Sequence, residues 1–178
     1  MKRPSKPLIF VISIISFMLG AFAVKYIIAV RKDSLFNYAA EQKKIKLYFV
    51  NRDGKLQAEK REIQGATSVL EDVKICVAEL VKGPVGKELY GTFPKETYLR
   101  EAYLDDNRCI YLDFSKSILN NQNGGTTGEM QLIYSLVDTL LENFGQIASV
   151  RILVEGQEVT TIGGHLDVNR PLRGKKLE

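Results

Sequence analysis

The chain has 178 residues, of which 45% are hydrophobic and 26% charged, and its formal net charge is +4. This length and composition allow one domain with a substantial core and exclude a mainly disordered chain. Residues 1–32 hold six basic residues and no acidic one, whereas the other 19 basic and all 21 acidic residues follow. The folded part is therefore slightly acidic, which argues against nucleic-acid binding.

The N-terminal region combines a basic tail, residues 1–7, with an apolar stretch from Leu8 to Val30 whose single charge is Lys25. As a helix, this stretch is roughly 35 Å long, enough to cross a bilayer. It predicts a transmembrane signal anchor over residues 8–30 in the inner or plasma membrane, with a cytoplasmic tail and an extracytoplasmic C-terminal domain. Cleavage after Ala23, which would release a secreted protein, is the alternative.

The remaining chain is predicted to form a connector over residues 31–44, a domain over residues 45–171 and a C-terminal tail over residues 172–178. The domain opens with a predicted hairpin between strands Ile45–Val50 and Leu56–Ile63. Asn51-Arg52-Asp53-Gly54 joins them, because an Asp-Gly pair favours a tight hairpin turn.

Two amphipathic helices are predicted from apolar residues at three- and four-residue spacing. The first follows the capping box Ser68-x-x-Glu71 and ends at Gly83-Pro84, and the second follows the capping box Thr126-x-x-Glu129 and ends near Gly145. The apolar stripe of the second helix comprises Ile133, Leu136, Val137, Leu140, Leu141 and Phe144. The opposite, polar arc comprises Gln131, Ser135, Asp138, Glu142 and Asn143.

Four further strands are predicted from short β-rich segments separated by turn residues. They are Thr97–Leu104, Cys109–Phe114, Ser149–Val154 and Gln157–Thr161. The resulting order, ββ-α-ββ-α-ββ, predicts an α+β fold in which two helices pack on one face of a mostly antiparallel sheet, in addition to the N-terminal transmembrane helix.

Few residues offer catalytic or metal chemistry. His165 is the only histidine, and Cys76 and Cys109 lack the spacing of metal ligands, so a zinc or iron site has too few ligands. The cysteines are interpreted as small buried apolar residues, with a disulfide as the alternative in an oxidising compartment. Asp113 lies in an apolar strand and is expected to be structural, since an unpaired buried carboxylate is costly. We expect no catalytic residue, no metal and no cofactor, and hence no enzyme.

A glycine-rich segment before the second helix is the most ligand-like feature, because free amides at a helix N-terminus favour anions. No P-loop lysine follows the glycines. A structural turn is therefore the favoured interpretation. The alternative is a loop that binds a small ligand, a cell-wall glycan or a partner, formed by Gly124, Gly125, Thr126, Thr127, Glu129 and His165.

Several short motifs follow one another along the predicted domain. They are Leu47-Tyr48-Phe49, Leu80-Val81-Lys82-Gly83-Pro84, Leu112-Asp113-Phe114-Ser115, Gly124-Gly125, Gly128-Glu129, Val154-Glu155-Gly156 and Gly163-Gly164-His165. Their order and spacing resemble those of GerMN domains, which occur in sporulation and spore-germination proteins and in bacterial envelope lipoproteins. The resemblance covers roughly Ile45 to Pro171.

The resemblance implies a membrane-tethered, extracytoplasmic module without established catalytic residues, of which this chain is interpreted as a single-domain member. Such a module would bind envelope or membrane protein partners in the bacterial cell envelope. The sequence does not name these partners, and it leaves open the formation of homo-oligomers.

Overall fold

The computed structural model describes residues 42–120 and 125–174, together with Met18, Gly20, Phe22, Lys25 and Tyr26. The chain divides into two compact units, Met1–Glu41 and Gln42–Glu178. In the first unit, the five described residues are helical and exposed. The second unit contains the predicted domain.

The domain has two helices and seven strands in its described residues. In chain order they are β1 (Gln42–Asn51), β2 (Leu56–Gln64), α1 (Val69–Lys82), β3 (Leu89–Tyr90), β4 (Leu99–Leu104), β5 (Cys109–Phe114), a 3₁₀ helix (Lys116–Asn120), α2 (Gly125–Asn143), β6 (Ser149–Val154) and β7 (Gln157–Glu158). The strands form two sheets, in the orders β2-β1-β3 and β4-β5-β6-β7. Within these sheets β5 and β6 are parallel, and the other neighbours are antiparallel.

The α+β class with two helices is confirmed, but the predicted ββ-α-ββ-α-ββ layout on one sheet is wrong. The described strands form two sheets, and β3 lies between α1 and β4, where the sequence predicts no strand. β6 pairs in parallel with β5, because α2 returns the chain to the end of the sheet at which β5 began. The predicted last strand, Gln157–Thr161, is reduced to the two residues of β7.

The prediction of an N-terminal transmembrane helix is also corrected by the structure. No helix within the described residues is long and apolar enough to cross a membrane. Most of the predicted span, residues 8–30, lies outside those residues, as do the basic tail and residues 31–41 of the predicted connector. β1 begins at Gln42, so the end of the predicted connector belongs to the domain. At the predicted C-terminal boundary of the domain, Leu172 forms a β-bridge with Val150, so this first residue of the predicted tail also belongs to the domain.

The first hairpin and α1 form as their local chemistry predicts. Gly54 closes the hairpin turn at φ +75, a conformation that glycine adopts without strain. The Ser68 side chain accepts a hydrogen bond from the amide of Glu71 at 3.2 Å, which satisfies an amide of the first helical turn. Gly83, at φ +94, ends α1. The predicted hairpin turn, the cap at Ser68 and the end of the helix at Gly83 are confirmed.

The core lies between the two helices and the inner faces of the strands. Fully buried strand residues are Leu47, Phe49, Ile110, Leu112, Phe114 and Val150, and fully buried helix residues include Val73, Val77, Leu132, Ile133, Leu136 and Leu140. Each large apolar side chain removed from water in this way stabilises the fold by about 1.5–3 kcal/mol. Cys76 and Cys109 are both buried and unpaired, as expected, and burial raises the pKa of the Cys76 thiol to about 12.

A row of polar side chains on α2 packs against β1 instead of facing water. The row consists of Gln131, Ser135, Thr139 and Asn143, spaced by four residues. Ser135 Oγ donates to the carbonyl of Tyr48 at 2.6 Å, and Thr139 Oγ1 accepts from the amide of Tyr48 at 3.0 Å. Both side chains are fully buried.

The ends of this polar row continue the same pattern. Asn143 Nδ2 donates to the carbonyl of Lys46 at 2.7 Å, its Oδ1 accepts from the amide of Lys46 at 2.9 Å, and Gln131 Nε2 donates to the carbonyl of Gly54 at 2.9 Å. On this side of β1, β3 pairs only with Val50 and Asn51. The polar row therefore supplies the hydrogen bonds that a longer neighbouring strand would otherwise provide.

Candidate functional site

The predicted ligand loop lies at the N-terminal end of α2. Gly124 lies outside the described residues, and Gly125, Thr126 and Thr127 form the exposed first turn of the helix. Glu129, one turn further on, is completely buried. The predicted loop residues are thus divided between an exposed turn and a buried carboxylate.

The Glu129 carboxylate holds a distant loop, residues 162–166, through four backbone hydrogen bonds. Oε1 accepts from the amides of Ile162 and Gly163 at 2.9 and 2.8 Å. Oε2 accepts from the amides of His165 and Leu166 at 2.8 and 3.1 Å. We call residues 162–166 the clamped loop.

The predicted capping box Thr126-x-x-Glu129 is wrong. α2 begins at Gly125, which places Thr126 inside the first turn and not at the cap. Both Glu129 oxygens bind the clamped loop, which offers four amides, whereas a capping box offers a single one. The larger number of donors explains why the carboxylate binds this loop.

The clamped loop is shaped to fit the carboxylate. A Cβ atom at Gly163 would lie 3.3 Å from Glu129 Oε2, closer than side chains normally approach. Gly164 has φ +89, a conformation that favours glycine. The Gly-Gly pair of the motif Gly163-Gly164-His165 therefore has a steric function and a conformational one.

Burial and hydrogen bonding act on Glu129 in opposite directions. Burial alone raises the pKa of a carboxyl group, but the amides of Gly163, His165, Ile162 and Leu166 outweigh it and hold the pKa of Glu129 below its ordinary value. The group therefore remains an anion whose lone pairs are occupied by backbone donors. This arrangement suits a structural clamp and not a proton-transferring group.

Of the predicted site residues, the structure brings Glu129 and His165 together. His165 Nδ1 lies 3.3 Å from Glu129 Oε2, and the His165 side chain is 44% exposed. Its ring is therefore next to the buried carboxylate and is itself accessible to solvent. His165 therefore contacts the Glu129 carboxylate through both its backbone amide and its ring.

Asp113 is held by two partners, as predicted for a structural carboxylate. Its Oδ2 accepts from Arg100 Nη1 at 3.0 Å, and its Oδ1 accepts from the amide of Gly156 at 2.7 Å. The first bond links β4 to β5, and the second fixes the turn between β6 and β7. Neither contact assembles a catalytic pair.

A cavity of about 380 Å³ opens between the first hairpin and the N-terminal half of α2. Its lining residues are Gly54, Lys55, Leu56, Thr127, Met130, Gln131 and Tyr134. The volume is at the lower end of the range for small-ligand sites, about 300–1,000 Å³. Of these lining residues, only Thr127 belongs to the predicted site. The sequence did not indicate the others as a group, because the hairpin and α2 are distant in sequence and meet only in the folded domain.

The described residues provide no clear centre for metal chemistry. Among them, no three His, Cys, Asp or Glu side chains lie close enough together to hold a metal ion. Fold and site together define a small α+β module whose buried carboxylate clamps a glycine-containing loop.

A family model described as sporulation and spore germination (Germane) matches residues 46–160, more than half of the chain. The chain belongs to this family, which confirms the resemblance to GerMN domains. None of the curated proteins matches it.

Three solved structures are similar in fold. The tandem GerMN domains of the sporulation protein GerM from Bacillus subtilis give a TM-score of 0.60 at 16% identity, over 75% of this chain and 46% of that one. The first GerMN domain of the same protein gives 0.59 at 17% identity, over 74% of this chain and 97% of that one. A candidate lipoprotein from Clostridium perfringens gives a TM-score of 0.55 at 24% identity, over 74% of this chain and 87% of that one. The chain thus spans about half of the tandem-domain structure.

Proposed function

We propose that this protein is a non-catalytic assembly module of the bacterial cell envelope, which acts outside the cytoplasm by binding partner proteins. One observation carries the proposal: Glu129, the most deeply buried carboxylate described, has both oxygens bound by the clamped loop. Asp113 is likewise bound by Arg100 and Gly156. These acidic groups hold the domain together, which supports a binding module over an enzyme.

The proposed location rests on the N-terminal sequence and on the relatives. A basic tail followed by an apolar stretch is typical of an export signal. One structural neighbour is described as a candidate lipoprotein, which supports an envelope location. We therefore propose that the domain is exported and remains associated with the envelope.

The location is tested with a reporter enzyme that is active only outside the cytoplasm, fused after Glu178 of the full chain. We expect an active reporter. A matched fusion to a reporter that is active only in the cytoplasm should be inactive. The opposite pattern would refute the envelope location.

Partner binding is tested by photo-crosslinking in cells. A photoreactive residue is placed at Tyr90, Tyr98 or Tyr103, which are exposed, and at Phe49, which is fully buried, as the control. We expect discrete crosslinked products from at least one exposed position and none from Phe49. Absence of products from every exposed position would contradict an assembly function.

The cavity supports a second candidate, a small-ligand or cell-wall-glycan binding module. It is bordered by Thr127 of the predicted loop, and it combines the apolar residues Leu56 and Met130 with the polar groups of Lys55 and Gln131. Apolar walls with a few polar groups are typical of ligand sites. In this version of the hypothesis Glu129 is not a contact residue, because the clamped loop covers it.

NMR titration of the full chain with soluble cell-wall fragments tests this candidate. Ligand-induced shifts are expected at Thr127, Lys55 and Gln131 and not at Asp113, which lies near the turn between β6 and β7. Unchanged spectra, or shifts that do not cluster at the cavity, would exclude it.

A further inference from the structure

The four-stranded sheet ends in β4, an edge strand with β5 as its only strand neighbour among the described residues. At the opposite edge, β7 has only two residues. Tyr98 and Tyr103, which flank the middle of the β4 edge, are 60% and 64% exposed. An edge strand of this kind presents backbone amides and carbonyls that can pair with another chain.

β4 contains a register shift that changes which residues face outward. Leu99 is opposite Phe114 and Glu101 is opposite Asp113, so that Arg100 is an extra residue in β4. Such a β-bulge places two consecutive residues on the same face. Arg100 bonds Asp113 on the outer face, which Glu101 shares, whereas Leu99 packs against the core.

We propose that β4 pairs in antiparallel fashion with β4 of a second copy, around a two-fold axis between Arg100 and Glu101. In this register Arg100 is opposite Glu101 of the second copy, Leu99 is opposite Ala102, and Tyr98 is opposite Tyr103. Each pair occurs twice, as a two-fold interface requires. This inference specifies a partner for the assembly module and therefore rests on the proposed function.

The face of each residue agrees with this register. Leu99 and Ala102 are partly buried and pack against the core, so they meet on the inner face. Arg100, Glu101 and the tyrosines meet on the outer face, where opposite charges stabilise a cross-strand pair. Within its own chain Glu101 forms an ion pair with Lys74 of α1 at 3.3 Å, and its side chain is 75% exposed, which leaves it accessible to Arg100 of the second copy as well.

Neighbouring registers are unfavourable. A shift by one residue in one direction places Arg100 opposite Arg100 of the second copy, and a shift in the other direction places Glu101 opposite Glu101. Like charges directly opposite each other are destabilising. Either shift also brings an inner residue opposite an outer one, because the faces alternate along the strand. The charges and the bulge together select one register.

The tyrosines extend an aromatic contact that already exists within the chain. The rings of Tyr103 and Tyr111 are 6.2 Å apart, within the range of favourable aromatic pairs. The proposed pairing adds Tyr98 of the second copy on the other side of Tyr103. A row of three tyrosines then crosses the interface on the outer face of the sheet, once for each copy.

The alternative is that the charges and the bulge of β4 prevent pairing at this edge, as they do in many edge strands. The protein would then be a monomer. Cysteine crosslinking of the full chain distinguishes the two. The Tyr98→Cys and Tyr103→Cys variants are purified, mixed and oxidised with copper phenanthroline in air. We expect a disulfide-linked dimer from the mixture and none from either variant alone. The native Cys76 and Cys109 are buried, which limits background oxidation.

A crosslinked dimer of Tyr103→Cys alone, or no dimer from the mixture, would overturn the proposed register. Charge reversal provides an independent test by light scattering of the full chain. Glu101→Arg should raise the dimer dissociation constant by about tenfold or more, since two like-charge pairs replace two attractive ones. The double variant Arg100→Glu/Glu101→Arg should restore association provided that circular dichroism shows it folded, because Arg100→Glu also removes the ion pair of Asp113 within the chain. Glu62→Arg, an exposed change in β2, is the control and should leave association unchanged.

The outcomes separate this inference from the proposed function. A folded chain that is monomeric in every assay, yet still yields photo-crosslinks to other proteins, refutes the dimer only. A dimer that forms in vitro together with an inactive export reporter refutes the envelope location and leaves the interface. Circular dichroism of each variant identifies any loss of association that is caused by unfolding.

Discussion

Replacing Glu129 with glutamine tests how strongly this carboxylate holds the clamped loop. Glutamine has the same shape, so that the change removes the charge and one acceptor without opening a cavity. The remaining amide oxygen can accept from two of the four loop amides. The new NH₂ group is a donor and faces the other two amides, which are donors as well.

The expected magnitude follows from these four bonds. A hydrogen bond to a charged group contributes about 1.5–3 kcal/mol, so losing two of them costs about 3–6 kcal/mol. The smaller cost of burying a neutral side chain offsets part of this loss. We expect the free energy of unfolding to fall by about 2–4 kcal/mol, a large share of the about 5–15 kcal/mol that is typical of a domain.

The assay combines urea unfolding of the full chain with hydrogen exchange of individual amides. In Glu129→Gln, the amides of Gly163 and His165 should exchange faster, whereas the amide of Leu112 in β5 should change only with global stability. Glu142→Gln is the matched control on the same helix: it weakens an exposed ion pair with Lys46, which solvent screens, and should lower the stability far less. If Glu129→Gln lost no more stability than this control and kept its loop amides protected, the clamp interpretation would be refuted.

Four further changes have defined outcomes. Because the pKa of Glu129 lies below its ordinary value of 4.5, its contribution to stability is complete above that pH and is lost as the pH falls through the lowered pKa, so that acid unfolding should be less steep in Glu129→Gln. Asp113→Ala should cost roughly 1–3 kcal/mol in urea unfolding, and Asp113→Asn less. Thr139→Val leaves the partly buried amide of Tyr48 in β1 without its acceptor and should cost about 1–3 kcal/mol. Gly163→Ala should cost about 1–3 kcal/mol through its contact with the carboxylate, and Gly145→Ala, where the space is open, should be nearly neutral.

Each of these predictions has a contradicting result. An identical acid profile for Glu129→Gln and the unchanged chain would remove the pH argument. Loss of function in cells by Asp113→Asn at unchanged stability would indicate a functional carboxylate. A stable Thr139→Val variant would mean that the polar row does not support β1. Equal stability of the Gly163→Ala and Gly145→Ala variants would show that the loop tolerates a side chain at the carboxylate.

Local features of the domain were predictable from the sequence, because neighbouring residues determine them. The Asp-Gly pair that ends at Gly54 forms the hairpin turn, and Ser68 caps α1. The apolar periodicity of α2 identified its buried face, including Leu136 and Leu140. The order of the family motifs identified the family, because motif order is read directly from the amino-acid sequence and does not depend on how the chain packs.

Long-range features were decided by tertiary structure. The pattern of α2 placed Ser135 and Asn143 on a polar arc, but a polar pattern does not distinguish water from a backbone edge as the hydrogen-bonding partner. In the fold, Ser135 is completely buried and bonds Tyr48, while Asn143 bonds Lys46. The parallel pairing of β5 with β6 and the separation into two sheets also depend on how distant segments pack.

Glu129 shows the same limit at the candidate site. Its spacing from Thr126 indicates a capping box, and local geometry alone would satisfy that interpretation. The tertiary fold brings the amides of residues 162–166 to the carboxylate, and four donors in a buried site outcompete a single one at the helix terminus. A residue's own neighbours determine which bonds it can form, and the packing of distant segments determines which of those bonds it forms.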